Sequence, residues 1–198
     1  MRMLILSALV ALQCAGALAQ TAPAATAKDV VLASLAPAPA AENGAAQPAR
    51  ADSMVVSVLV EGPFGMLLPR STDATFVTGE RFRIKLLAPR DAEVLFYNTN
   101  PAGQTASTPL WRGNIKGGVE TLSDMLELSG SSGEDQLHIV LQPRVPEANP
   151  YAWFHNLWGN ASGRAGKDIR LVTESTPQST YFYNPNGQGG YLTVRIRH

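Results

Sequence analysis

Cysteine is all but missing from this chain. Cys14 is the only one, and it lies in an N-terminal stretch that reads as a removable export signal. Without it the mature chain holds no thiol, which excludes disulfide frameworks, zinc–thiolate sites and cysteine nucleophiles. A chain that enters an oxidising compartment without cysteine must be held together by a packed core. An excess of charge of either sign is missing too. Lysine plus arginine number 16 and aspartate plus glutamate 16. Only Arg2 leaves with the signal, so the mature net charge is about −1 and gives no long-range attraction for nucleic acid or anionic lipid. Histidine, at three residues, is too sparse to suggest a metal site, and no cofactor motif stands out.

The N-terminus has the three parts of a secretory signal in residues 1–19. Arg2 supplies the positive start, an apolar run extends from Met3 to Leu12, and Ala17-Leu18-Ala19 ends it with small side chains before a cut at Gln20. A spanning helix needs roughly 20 apolar residues, and Gln13 interrupts this shorter run, so stable membrane insertion is not expected. Gln13 also occupies the position before Cys14 where lipidation requires a small residue. The expected destination is the periplasm or the cell exterior.

Residues 20–52 are rich in alanine, carry Pro23, Pro37, Pro39 and Pro48, and lack aromatics. Such a segment cannot bury enough surface to offset its ordering entropy, and it reads as a disordered linker. Within it KDVVLASL at 28–35 could form an apolar turn of helix through Val31, Leu32 and Leu35. That turn reads either as transient structure or as a docking motif for a partner.

From residue 53 to 198 short alternating runs are separated by Gly, Pro, Asn and Asp, the pattern of half-buried strands. Val56, Val58 and Val60 begin it. Phe82, Ile84 and Leu86 alternate with Arg81, Arg83 and Lys85; Leu137, Ile139 and Leu141 with Gln136, His138 and Gln142; and Leu192, Val194 and Ile196 with Thr193, Arg195 and Arg197. Further strands are predicted at 92–98, 107–112, 121–128, 169–173 and 179–184. Two similar passages, FYNTNPAG at 96–103 and FYNPNGQG at 182–189, read as hairpin turns. The fold class predicted is all-β, an antiparallel sandwich of about eight strands. If the strands holding Arg81/Arg83 and Arg195/Arg197 pair, those arginines form one basic ladder.

The passage 147–167 does not alternate. Tyr151, Trp153, Phe154, Leu157 and Trp158 recur at helical spacing, followed by Gly159, Gly163 and Gly166, which predicts a short helix and a glycine-rich loop. Tryptophan and tyrosine offer flat apolar area with a polar handle, suited to stacking on sugars or gripping a peptide. Trp153, Phe154, His155 and Trp158 are therefore the candidate binding residues. In the competing reading, a helix across one open end of the sandwich buries Trp153, Leu157 and Phe154 and leaves His155 and Trp158 outside.

The text FVTGERFRIKLLAPRDAEVLFYN at 76–98 resembles a widespread bacterial family of exported β domains known only as a domain of unknown function. The similarity continues through the Asn100–Gly103 turn, Leu110-Trp111 and the Gly133-Glu134 pair before LHIVL. It departs from that pattern at Ala92, where glycine is common. The resemblance implies an Ig-like sandwich serving as a sensing or adaptor module, and it carries over no catalytic residue. Read from their positions alone, Glu80 and Arg90 belong to reversals at opposite ends of the strand at 81, as solvated turn residues.

Catalytic patterns are weak. No Gly-x-Ser-x-Gly elbow occurs, and Ser131-Ser132 between Gly130 and Gly133 reads as a hairpin. Gly159, Gly163, Gly166 and Lys167 lack phosphate-loop spacing, with Asp168 where Ser or Thr would hold magnesium. Glu134-Asp135 reads as a solvated hairpin end. The function expected is therefore a noncatalytic periplasmic or envelope module that binds a protein partner. A glycan- or small-ligand-binding domain built on the aromatic segment is the alternative, and a hydrolase using His155 as base comes third.

Overall fold

The computed structural model describes residues 26–36, 52–71, 74–161 and 172–198. The expected signal, most of the leader and the glycine loop around Lys167 lie outside them. Eleven strands occur among the described residues: β1 (Asp52–Glu61), β2 (Leu67–Arg70), β3 (Arg81–Leu87), β4 (Ala92–Thr99), β5 (Trp111–Ile115), β6 (Thr121–Leu122), β7 (Leu126–Glu127), β8 (Glu134–Leu141), β9 (Val172–Ser175), β10 (Thr180–Asn184) and β11 (Gly190–Arg197). The helices are α1 (Ala27–Leu35) and α2 (Pro150–Ala161). The strand count exceeds the eight expected mainly because the stretch at 121–128 breaks into two short pieces and the first strand turns back into β2.

The strands form two antiparallel sheets packed as a β-sandwich. One runs β6-β3-β1-β10-β9, with β2 also beside β1 and β7 also beside β3; the other runs β11-β8-β4-β5. β1 is long enough to serve two partners on one flank, β10 along 52–56 and β2 along 58–61, while β3 follows its other flank. Period-two alternation fills the interior as the sequence predicts. Met54, Val56, Val58, Val60, Phe82, Ile84 and Leu86 from the first sheet meet Val94, Phe96, Leu137, Ile139, Leu141, Leu192, Val194 and Ile196 from the second. At the sheet edge, Gly113 has no Cβ, and the Trp111 ring lies directly over it, its centroid 4.6 Å from that of Phe96.

Two expected hairpins are crossovers instead. FYNTNPAG does reverse within one sheet, joining β4 to β5, with Gly103 N–H donating to Asn100 O at 2.8 Å. FYNPNGQG instead carries the chain from β10 in the first sheet to β11 in the second. The Gly130–Gly133 segment likewise passes from β7 to β8 between sheets. Turn chemistry fixes a reversal of direction, and which sheet receives the next strand is decided by long-range pairing. The arginine ladder fails for the same reason, because β3 and β11 lie in different sheets. Arg81 pairs with Glu61 at 2.9 Å, and Arg197 and Arg195 flank Glu134 at 3.2 and 3.7 Å.

Each outer face carries a helix. Part of the 20–52 segment is ordered: α1 is closed by a capping box between Thr26 and Asp29 and buries Ala27 and Val31 against β1, β9 and β10. Its anchors are Lys28 N–H to Glu174 Oε2 at 3.0 Å and the Ser34 and Ser53 hydroxyls at 2.9 Å. Leu32, expected in the apolar turn, is exposed. The docking surface for this helix is therefore the chain's own domain. The boundary also moves by one consequential residue, since Asp52 opens β1 and is fully buried.

Candidate functional site

Helix α2 lies on the outer face of the second sheet, not across an open end. Leu95 and Tyr97 of β4, Val140 of β8 and Tyr191 of β11 form a second core with Phe154, and Tyr151, Trp153, Leu157 and Trp158 pack around it. Of the four candidate binding residues, Phe154 is fully buried, stacked on Tyr97 at 5.3 Å with an interplanar angle of 1°. It is corrected from contact residue to core residue, because helical periodicity places it at the centre of the apolar stripe. Trp153 and Trp158 are half-buried and His155 is exposed. On the outer side His155 sits between Tyr151 and Trp158, at ring separations of 5.7 and 5.9 Å.

Under α2 lies His138, predicted to face outward. It does leave the sandwich interior, but the helix covers it completely. Its Nε2 is 2.8 Å from Thr99 Oγ1 and its Nδ1 2.9 Å from Thr193 Oγ1. The Phe154 and Trp158 rings lie 5.0 and 4.9 Å away. Burial without a charged partner pushes its pKa down to about 4, so the ring is neutral at pH 7. Tyr97 is raised above its ordinary value, chiefly by the same desolvation.

The end of the sandwich where β1 begins is closed by a polar clamp. Asp52 receives Arg90 Nε at 2.6 Å, Arg90 Nη2 at 3.0 Å and Gly189 N–H at 2.6 Å. Arg90 Nη2 also donates to Gln142 O at 2.7 Å. Asn184 Nδ2 donates to Gly189 O at 2.6 Å and Asn184 Oδ1 accepts from Asn186 N–H. The solvated role expected of Arg90 is thus overturned: its fork holds a buried carboxylate in bidentate geometry. Glu80 is engaged as well, accepting from Arg70 at 2.9 Å and from Val77 N–H at 3.0 Å. Asp91, exposed beside the clamp, has its pKa lowered by the Gly117 N–H and then by Lys116.

The opposite end, where β1 finishes, differs in character. The chain turns from β1 to β2 through Pro63–Gly65, and Phe64 adopts φ 62°, ψ 22°, a left-handed conformation that side chains other than glycine rarely take. Its side chain is fully exposed, and Met66 and Leu68 are about half-exposed beside it. Composition had not singled out this tip. Its signal was GPFGMLLP, an apolar run interrupted only by turn residues.

On the β2 side the edge is guarded. Gly62 N–H bonds Met66 O, and the register continues through Val60↔Leu68 and Leu59↔Pro69. Alternation then makes Pro69 a non-hydrogen-bonded position whose backbone faces the free edge. A proline there removes a donor that a new strand would use.

At this same end Asp135, expected to be solvated, is buried. It accepts from Asn98 Nδ2 at 2.8 Å and contacts His198 Nε2 at 2.8 Å, while His198 Nδ1 lies 3.1 Å from Thr78 Oγ1. A hydroxyl, an imidazole and a carboxylate in series resemble a nucleophile relay, which also needs preorganised donors for an oxyanion. Three of the neighbouring N–H groups are already used: Val77 by Glu80 Oε2, Gly79 by Leu128 O and Glu80 by Val77 O. The series fastens β11 across the sandwich end. Among the described residues no three His, Cys, Asp or Glu side chains gather as a metal site would require, and no helix is long and apolar enough to cross a membrane.

No family model, curated protein or solved structure matches this chain.

Proposed function

We propose that this chain is a noncatalytic interaction module of the bacterial envelope, and that it presents the β1–β2 tip to a protein partner. The finer assignment, an Ig-like sandwich related to the exported domains of unknown function, belongs to the same reading and rests on the residues quoted from 76–98. The single observation that carries the proposal is Phe64, fully exposed and left-handed. An exposed aromatic costs solubility, and a non-glycine residue in the left-handed region costs about 1 kcal/mol. Two costs at one residue, flanked by exposed Pro63, Met66 and Leu68, support reading this tip as a contact surface. Pro69 keeps the contact to side chains by discouraging strand addition.

Site-specific photocrosslinking tests this. A photoreactive phenylalanine analogue at position 64 should give one discrete envelope adduct, and the same analogue at exposed Pro185, near the clamped end, should give none. Equal labelling at both positions, or none at 64, would discard the tip as the contact surface.

A second reading has its own observation. The exposed His155, flanked by Tyr151 and Trp158, forms a short aromatic row on α2 of the kind that stacks on glycans. It requires a saturable change in tryptophan fluorescence with cell-wall fragments that Trp158→Ala abolishes. A flat titration sinks it.

A further inference from the structure

We propose that the open seam between the two sheets, at the end of the sandwich that also bears the tip, is a binding cleft for a small ligand with an apolar body and a cationic head. The seam exists because the first sheet is ragged beyond β3, where β6 and β7 are two residues each. They leave a cavity of about 190 Å³ lined by Phe82, Leu126 and Leu128 on one side and Leu137 and Ile196 on the other, with Leu110 at the rim. Leu110 is half-exposed, so apolar surface faces water there. For scale, an apolar cavity of ~150 Å³ takes a benzene ring. This one suits a ring with a two-carbon arm.

The polar lining selects the head group. Asp135, Asn98, Glu127 and Ser129 are the hydrophilic residues of the cleft. A carboxylate offers roughly four acceptor positions, and Asn98 and His198 take two of those on Asp135, leaving capacity for a donor inside the cleft. The nearby arginines are tied elsewhere: Arg81 to Glu61, and Arg195 and Arg197 to Glu134. The cleft therefore presents acidic groups over an apolar floor, and a primary ammonium on a hydrocarbon body complements both. This inference does not rest on the partner-contact reading, so Phe64→Ser should leave it untouched.

Titration of the full chain with phenethylamine, followed by amide chemical shifts, tests it, with 2-phenylethanol as a neutral match of nearly equal shape. The amine should saturate with a Kd of about 1 mM, reasonable for nine heavy atoms, with shifts centred on Leu110, Leu126 and Ser129. The alcohol should bind at least about tenfold more weakly, the difference a single charge-assisted hydrogen bond supplies. Asp135→Asn should bring the amine down to the level of the alcohol, and Leu126→Trp, which fills the mouth, should abolish both. Equal binding of amine and alcohol, shifts scattered over the surface, or unchanged amine affinity in Leu126→Trp overturns the proposal. The wild-type comparison of the two ligands decides the matter even if Asp135→Asn fails to fold.

Discussion

The two ends of strand β1 obey opposite rules. At its start Asp52 is buried, receives three short hydrogen bonds and ties together the β3–β4 turn and the crossover at 182–189. At its finish Phe64 touches little, faces water and holds a conformation that its own backbone resists. The first end shows what a fold requires of a buried charge, namely a partner for each polar atom. The second carries cost without local compensation. A residue that costs the fold and gains nothing from it locally is the natural place to look for a benefit outside the fold, which is why the proposed contact surface lies there.

The most direct way to break the comparison is to remove the carboxylate at the clamped end. Asp52→Ala leaves Arg90, only 12% exposed in its side chain, as an uncompensated buried charge. Loss of one partner of such a pair costs about 3–5 kcal/mol. Urea denaturation should show a loss of unfolding free energy of that size, seen as a lower midpoint with an unchanged m-value. A loss below about 1 kcal/mol would mean that the pair behaves as a surface salt bridge and that the contrast between the ends is false.

Acid tests a third region, the outer face under α2. His138 is held neutral, with its pKa lowered to about 4, while in the unfolded chain it titrates near 6.5. Its contribution is intact above pH 6.5. As pH falls from 6.5 toward 4, the unfolded state takes up a proton that the folded state refuses, so stability declines through that window by on the order of 3 kcal/mol. Carboxylates titrate in the lower part of the same range, so the measurement is the difference in stability against pH between wild type and His138→Gln. The variant should lack this component. Parallel curves would refute the assignment.

Gly189 sharpens the contrast at the clamped end by a smaller amount. It sits at φ 70°, and a Cβ there would come within 2.5 Å of Leu141 O. Gly189→Ala should therefore cost roughly 1–3 kcal/mol, and it should also loosen Asp52, which accepts from this residue's N–H. Additivity with Asp52→Ala is then expected to fail, because both act on one network. A double-mutant cycle with zero coupling would show that the glycine serves only its turn.

How much of this could be read from residues alone follows from the range of each interaction. The interior rows, such as Phe82-Ile84-Leu86 and Leu192-Val194-Ile196, were legible because period-two alternation is a local consequence of the strand backbone. The helix at 150–161 was legible from its spacing. The face it covers was not, since nothing local says that His138, twelve residues before the helix begins, lies beneath it. Arg90 and Asp135 were misread for a related reason. A charged residue beside a turn is usually solvated, and only pairing across 38 residues to Asp52, or the approach of β11 to β8, reveals the exception. The 182–189 turn was chemically correct and topologically wrong. Phe64 escaped notice because exposure is a property of what fails to arrive, and a sequence does not record that.

The smallest expected effect separates fold from function most cleanly. Phe64→Gly removes a ring that packs on nothing and relieves a left-handed φ that costs a side-chain-bearing residue about 1 kcal/mol. Glycine has more backbone entropy to lose on folding, which offsets part of that gain. Stability should therefore stay within about 1 kcal/mol of wild type, on the favourable side, while any adduct or complex formed through the tip is lost. At the clamped end a substitution cannot improve stability and abolish binding together, because there the side chains serve the fold. A clear loss of stability in Phe64→Gly would mean that the ring has a partner in the folded chain, and the two ends of β1 would then be alike.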